Sequence, residues 1–287
     1  MERDDKNKYL FKAEKRNICV MFSGGYDSTL LLIKALEMKR DNLVHEVYAT
    51  YVDCSNIPNF EKQKVAMNNI LKELKGQICG CQTNTVKIDL TSTSIISRIQ
   101  SGQMMMFLPT CLMGIPDNTE IWFGMIDHTT MTNSVSLKAK ERVMNGIVSE
   151  LSKHFSMYND IVVKCPIMEY GDSIETRKTF IIENLLDYEY VFDLCFSCDN
   201  NYSSQECECL KHHELLVALM NVYRNNHIYY THCIHGDMLK TGCLEKAIYK
   251  MNKIRDYIQK HYTDYYSTLE SLTSKEKLEI KDTSTDK

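Results

Sequence analysis

At 287 residues the chain is long enough to bury a full core, as one large domain or one domain with an appendage. Hydrophobic residues make up 44% and charged ones 25%, with a formal net charge of −4, so charge gives no reason to expect nucleic acid as a partner. No window approaches the roughly 18–20 apolar residues of a membrane helix, and Met1–Arg16 is dense in charge without a signal-like apolar stretch, so the expected location is cytoplasmic with no membrane partner.

Asn17–Phe22 (NICVMF) is a short apolar run, followed almost at once by a glycine pair and then by Thr29–Met38, which reads as an amphipathic helix. Val44–Val52 predicts a second strand, Phe60–Leu74 a second helix, Val86–Leu90 (VKIDL) a third strand and Glu120–Met125 (EIWFGM) a fourth. Strands alternating with helical patterns predict an α/β fold built on a doubly wound parallel sheet. Ile161–Pro166 (IVVKCP) extends it with a fifth strand, and the helix Ile174–Leu186 follows. Asp193–Gln205 is then a loop rich in Cys, Asn and Ser, and Leu210–Tyr223 and Leu244–His261 are helical. Ser271–Lys287 is charged and polar, with few apolar anchors, and is expected to fray.

The chemistry concentrates in Ser23-Gly24-Gly25-Tyr26-Asp27-Ser28-Thr29. Two glycines after a strand allow successive amide N–H groups to converge on one anion. The helix that begins near Asp27 adds the positive end of its dipole. Ser23, Ser28 and Thr29 bring hydroxyl donors for phosphate oxygens, and Asp27 a carboxylate for magnesium. The Walker spacing G-x-x-x-x-G-K-[ST] is missing. The bland alternative is a turn in which Ser and Asp cap a helix.

SGGYDST behind a buried strand closely resembles the SGGxDS signature of the PP-loop ATP pyrophosphatases. The resemblance implies that the loop binds the pyrophosphate part of ATP and that ATP is split between its α and β phosphates. The substrate then becomes an acyl- or imidoyl-adenylate, from which a nitrogen or sulfur nucleophile displaces AMP. Three further segments resemble the 7-cyano-7-deazaguanine synthase branch, spreading the likeness over about residues 17–220. Glu61–Ala66 (EKQKVA) opens the second helix much like that branch's E-x-x-x-A element, one residue longer. Pro166–Ile181 carries a strand-end proline and a K-x-x-I spacing at Lys178 and Ile181, and the family lysine approaches the ATP phosphates. A cysteine-rich loop then precedes a final helical part.

That loop reads Cys195-Phe-Ser-Cys198, eight residues, then Cys207-Glu-Cys209-Leu-Lys-His212-His213. Thiolate and imidazole at short spacings suit a tetrahedral zinc ion, which would pin an otherwise loose segment. The family holds structural zinc with four cysteines spaced about C-x8-C-x2-C-x2-C. Here Cys198, Cys207, Cys209 and His212 are the preferred set, one interval is a residue short, and Cys195 or His213 is an alternative fourth ligand. The remaining cysteines read as small buried hydrophobes. Cys79-Gly-Cys81 could carry thiol chemistry, but its arrangement differs from that of sulfur-transferring relatives. His227, His232 and His235 could bring two imidazoles to a second metal, although a partly buried aromatic segment is the simpler reading.

The acceptor side departs from the branch. Asp53-Cys54-Ser55-Asn56 stands where a GQRH-like element belongs, Phe107–Gly114 (FLPTCLMG) lacks the R-N pair, and the segment after Gly124 keeps Asp127 but no YPDCR-like motif. The expectation is therefore an enzyme with ATP, magnesium and structural zinc as cofactors, joining ammonia to a small-molecule carboxylate related to a 7-deazaguanine. Asp27 and Lys178 are its catalytic residues. The alternatives are a ligase for a protein or other amine, and an ATP-binding regulatory subunit. Residues 1–190 form the expected ATP-binding α/β domain and 191–287 a small helical, zinc-binding region. Tyr257–Tyr266 offers a helix face for packing or for self-association as a homodimer.

Overall fold

The computed structural model describes residues 16–53, 60–87, 108, 112, 114–124, 137–155, 160–196, 198, 209–235 and 241–271. Two compact units divide the chain, one of residues 1–177 and 189–197, the other of residues 178–188 and 198–287.

The first unit holds a five-stranded sheet of β1 (Asn17–Met21), β2 (Val47–Asp53), β3 (Gln82–Lys87), β4 (Thr119–Phe123) and β5 (Val162–Lys164). All four pairings are parallel, in the order β3-β2-β1-β4-β5. Ile18, Cys19 and Val20 are all fully buried, as the centre of a parallel sheet covered on both faces requires. The order runs outward from β1 to one edge and then returns to its other side. The loop that leaves β1 therefore sits where a doubly wound sheet opens a crevice at its strand ends. One core cluster gathers Cys19, Ile121, Phe123 and Val163 of the sheet with Met144 and Val148 of the helix α3 (Leu137–Phe155). The predicted α/β parallel architecture is the one observed.

Several element readings change in detail. α1 runs from Tyr26 to Arg40 and is not amphipathic: Leu30, Leu31, Leu32 and Ile33 are all buried. Four consecutive apolar residues wrap most of the way round a helix, so they cannot form one stripe. α2 extends over Phe60–Gln77. β3 begins at Gln82 instead of Val86. It lies at the sheet edge, where one flank is open and the strand tolerates polar residues.

After β5, a short 3-10 turn (Pro166–Glu169) leads into α4 (Ile174–Leu185) and α5 (Glu189–Phe192). The second unit is dominated by α6 (Leu210–His235) and α7 (Thr241–His261), followed by a short helix over 263–271. The histidine segment predicted beyond Tyr223 is the continuation of α6. Lys250 on α7 is fully buried and donates to the Glu183 carbonyl at 2.9 Å, with Asp187 Oδ1 at 3.2 Å. Removing these acceptors would strand a charge out of water, so they are structural necessities of this unit. No helix among the described residues is long and apolar enough to cross a membrane.

Candidate functional site

The glycine loop leaves β1 at the sheet's switch point, and each of its residues has a distinct place. Gly24 takes φ of +75°, a left-handed conformation that side chains resist. It also lies against the start of α2: a Cβ there would stand 3.1 Å from Met67 Cγ and 3.3 Å from the Gln63 carbonyl. The Glu61–Ala66 segment, read above as a family element, thus packs under the loop. Gly25 is the N-cap of α1 and, lacking a side chain, leaves the helix N-terminus without a side-chain cap. Those N–H groups are the natural donors for an anion.

Of the seven predicted loop residues, Ser23 is exposed, Gly25 and Asp27 are half-buried, and Gly24, Tyr26, Ser28 and Thr29 are buried. Ser28 closes the loop on itself. Its Oγ donates to the Gly25 carbonyl at 3.2 Å, accepts the Ser23 backbone N–H at 3.2 Å and lies 3.2 Å from Ser23 Oγ. Tyr26 turns inward, its ring 5.4 Å from that of Phe192 on α5. Thr29 Oγ1 is buried without a conventional hydrogen-bond partner and faces the Cys195 thiol.

Two contributions to the loop escaped sequence reasoning. The first is the stretch after α5: Phe196 N–H donates to the Gly24 carbonyl at 2.9 Å, and the Phe196 carbonyl would stand 3.5 Å from a Cβ on Gly25. The second is Gly124, at the end of β4, where a Cβ would fall 2.9 Å from the Ser28 backbone nitrogen. The run EIWFG carried a signal for it, a glycine terminating a buried strand.

The thiol of Cys195, the alternative ligand, donates to the Val191 carbonyl at 3.4 Å, and burial pushes its pKa up to about 12. His213, the other alternative, is exposed. The group that does come together in the second unit is Cys198, Cys209 and His212, all buried, with ligand atoms within 4.8 Å of one another. The Cys209 carbonyl accepts the His212 N–H at 3.0 Å, so α6 starts there and carries His212 one turn along on the same side. Two sulfurs and one imidazole are a soft donor set suited to a transition metal. Cys207, the remaining predicted ligand, lies outside the described residues, as do the acceptor-side positions Cys54, Ser55, Asn56 and Asp127.

Lys178 belongs to the second unit, where its Nζ lies 3.8 Å from Glu214 Oε2. His227 is buried and stacks on Tyr223 with 6.4 Å between ring centroids, while His232 is exposed. Five residues apart on a helix, the two imidazoles point in different directions.

The Cys79 and Cys81 thiols hold their protons. Burial raises both, Cys81 to about 11, and outweighs the nearby Lys39 ammonium, which donates to the Gly80 carbonyl at 2.9 Å and pairs with Glu46. A thiol titrating near 11 or 12 exposes little thiolate at pH 8. Iodoacetamide should therefore label Cys81 on the order of a hundredfold, and Cys195 on the order of a thousandfold, more slowly than a free thiol. Among the described cysteines exposed Cys243 should react first, and peptide mass mapping over time checks the order.

Residues 2–103 match the PP-loop domain family, a stretch that contains β1, the glycine loop, α1, β2, α2 and β3. No curated protein matches the chain. The matched stretch includes the loop whose amide groups and helix N-terminus are described above, so what the comparison supports is a PP-loop domain at residues 2–103.

Proposed function

We propose that this chain is an ATP-dependent carbon–nitrogen ligase, which activates a small-molecule carboxylate by adenylation and transfers the acyl group to ammonia. A PP-loop domain implies ATP-dependent adenylation in general terms, and proteins that carry it are typically ATP-using enzymes. The observation that carries the reading is the loop itself, with an uncapped helix N-terminus behind Gly25 and a left-handed Gly24.

In the proposed reaction the substrate carboxylate oxygen attacks the α-phosphorus of ATP. The α–β bridging P–O bond breaks and pyrophosphate leaves with its electron pair. Ammonia then attacks the acyl carbon, AMP departs and a proton is lost, giving an amide. A second adenylation, on the amide oxygen, followed by loss of AMP and a proton would give a nitrile, as the resemblance to 7-cyano-7-deazaguanine synthases suggests for a heterocyclic acceptor.

The amide N–H groups at the start of α1 and the Ser23 hydroxyl would hold the pyrophosphate and stabilise its growing charge. Ser28 keeps Ser23 in place. Asp27, in the first turn of α1, would hold magnesium, which would neutralise phosphate charge. Lys178 is the proposed second cation. Cys198, Cys209 and His212, with Cys207, would hold zinc, whose contribution is to fix the start of α6.

A second reading, transfer of the adenylate to a protein or other amine, is favoured by the altered acceptor segments at 53–56 and 107–114. Incubating the protein with ATP, magnesium and candidate carboxylates, with products identified by mass, separates the two. AMP and pyrophosphate are the expected nucleotide products, and ADP with phosphate would reject both readings. Asp27→Asn is expected to reduce turnover by about a thousandfold or more, as loss of a transition-state electrostatic contact does, with the melting temperature little changed.

A further inference from the structure

Arg177, in the first turns of α4, is 94% removed from solvent yet lacks a full set of partners, with 6% of its surface exposed. Its Nε donates to the Gly171 carbonyl at 2.9 Å, while Nη1 is buried with no hydrogen-bond acceptor. Glu169, Asp172 and Glu175 are close in sequence but exposed, and among the described residues no carboxylate pairs with the guanidinium. A buried, unpaired guanidinium is costly, because arginine cannot shed its proton.

The surrounding turn is organised in a way that suits an anion. Ser173 and Thr176 form reciprocal capping bonds, Thr176 N–H to Ser173 Oγ at 3.1 Å and Ser173 N–H to Thr176 Oγ1 at 3.2 Å. This fixes the N-terminus of a 12-residue helix, the positive end of its dipole. The Nε bond to Gly171 draws the guanidinium back along the helix toward that end. The turn follows β5, which runs parallel to β4 and, through it, to β1, so it leaves the sheet on the same edge as the glycine loop. Gly171, whose carbonyl holds Nε, is exposed, as are its neighbours Asp172, Ser173 and Thr176, so the guanidinium is anchored to a surface turn.

We propose that Arg177 and the N-terminus of α4 form an oxyanion site, taking either a nucleotide phosphate or the carboxylate of the acceptor substrate. Both present two oxygens at the spacing of the guanidinium fork. The site extends the ATP-dependent ligase reading by giving it a second fixed anion-binding group, and rests on that reading for the source of the anion.

The test titrates the full chain with ATP, inorganic pyrophosphate and acetate by calorimetry, in wild type, Arg177→Met and Arg177→Lys. Arg177→Met should bind at least one probe about tenfold or more weakly, the scale of a charge-assisted hydrogen bond, and Arg177→Lys should recover part of the loss. A loss toward ATP and pyrophosphate assigns the site to a phosphate, and a loss toward acetate alone assigns it to the carboxylate. Without its ligand, Arg177→Met should melt at or above the wild-type temperature, since a buried unpaired charge has been removed. Unchanged affinity for all three probes, in either variant that stays folded, would overturn the proposal. Failure of wild type to bind ATP would instead sink the ligase reading, while the acetate titration still decides Arg177.

Discussion

Gly124→Ala is expected to weaken ATP binding by about a hundredfold, although residue 124 carries no functional group. The added methyl would stand 2.9 Å from the Ser28 backbone nitrogen and 3.2 Å from the Asp27 carbonyl carbon. Neither neighbour is a side-chain tip that can swing away; both are backbone of the first turn of α1. The turn must move, and Asp27 and the N–H groups of that turn move with it. Displacements near 1 Å in positioning groups cost on the order of a hundredfold. The control is Gly146→Ala on α3, where a Cβ meets nothing within 4 Å. That change should instead stabilise the protein by about 0.5–1 kcal/mol through helix propensity. Equilibrium binding of ATP and thermal melting of both variants give the comparison. Equal ATP affinity in Gly124→Ala and wild type would remove β4 from the account of the loop.

The second large effect concerns the metal. On the zinc reading, the purified protein carries about one zinc per chain, and Cys209→Ser loses it along with at least ~10 °C of melting temperature. Structural zinc sites contribute on the order of 10 kcal/mol of folding energy, and 1 kcal/mol moves a midpoint by about 2–4 °C in chains of 150–250 residues. Cys209 also supplies the carbonyl from which α6 starts, so loss of its sulfur as a ligand loosens the beginning of that 26-residue helix. Cys243→Ser, at an exposed position, should leave both metal content and melting unchanged. Elemental analysis with calorimetry decides it: metal-free wild-type protein prepared without chelator, with normal melting, rules the site out.

The sequence carried the frame of this protein wherever local chemistry dictates the outcome. Asn17–Met21 is apolar because both faces of the central strand are covered, and a glycine pair after such a strand has few other uses. Cys209 and His212 could be paired on paper because Cys209-x2-His212 keeps the last C-x2-C interval of the zinc spacing that the resemblance implies, with His212 in the place of the last cysteine. What stayed hidden depends on distant segments. Nothing about Phe196 marks it as the partner of Gly24, 172 positions away, since a backbone N–H leaves no trace in residue identity. β3 was displaced by four residues because QTNTVK, at a sheet edge, lacks the apolar pattern that betrays buried strands. Arg177 sat unnoticed beside Lys178, because burial, and not the identity of a basic residue, distinguishes the two.

The order of the sheet also bears on how the chain reaches its fold. β1 pairs with β2 across a short crossover, but its other flank waits for β4, whose Thr119 aligns with Asn17 about a hundred residues earlier. Closing so long a segment costs chain entropy before any contact repays it, and pairings of this kind slow folding. α6 and α7 are consecutive helices that pack against each other, a contact that forms at short sequence separation. The C-terminal helical pair can thus form quickly once it is made, whereas the half-sheet β3-β2-β1, made earlier, exposes one side of its central strand until residues 119–123 arrive. That interval is when an unpaired apolar edge invites association with other chains.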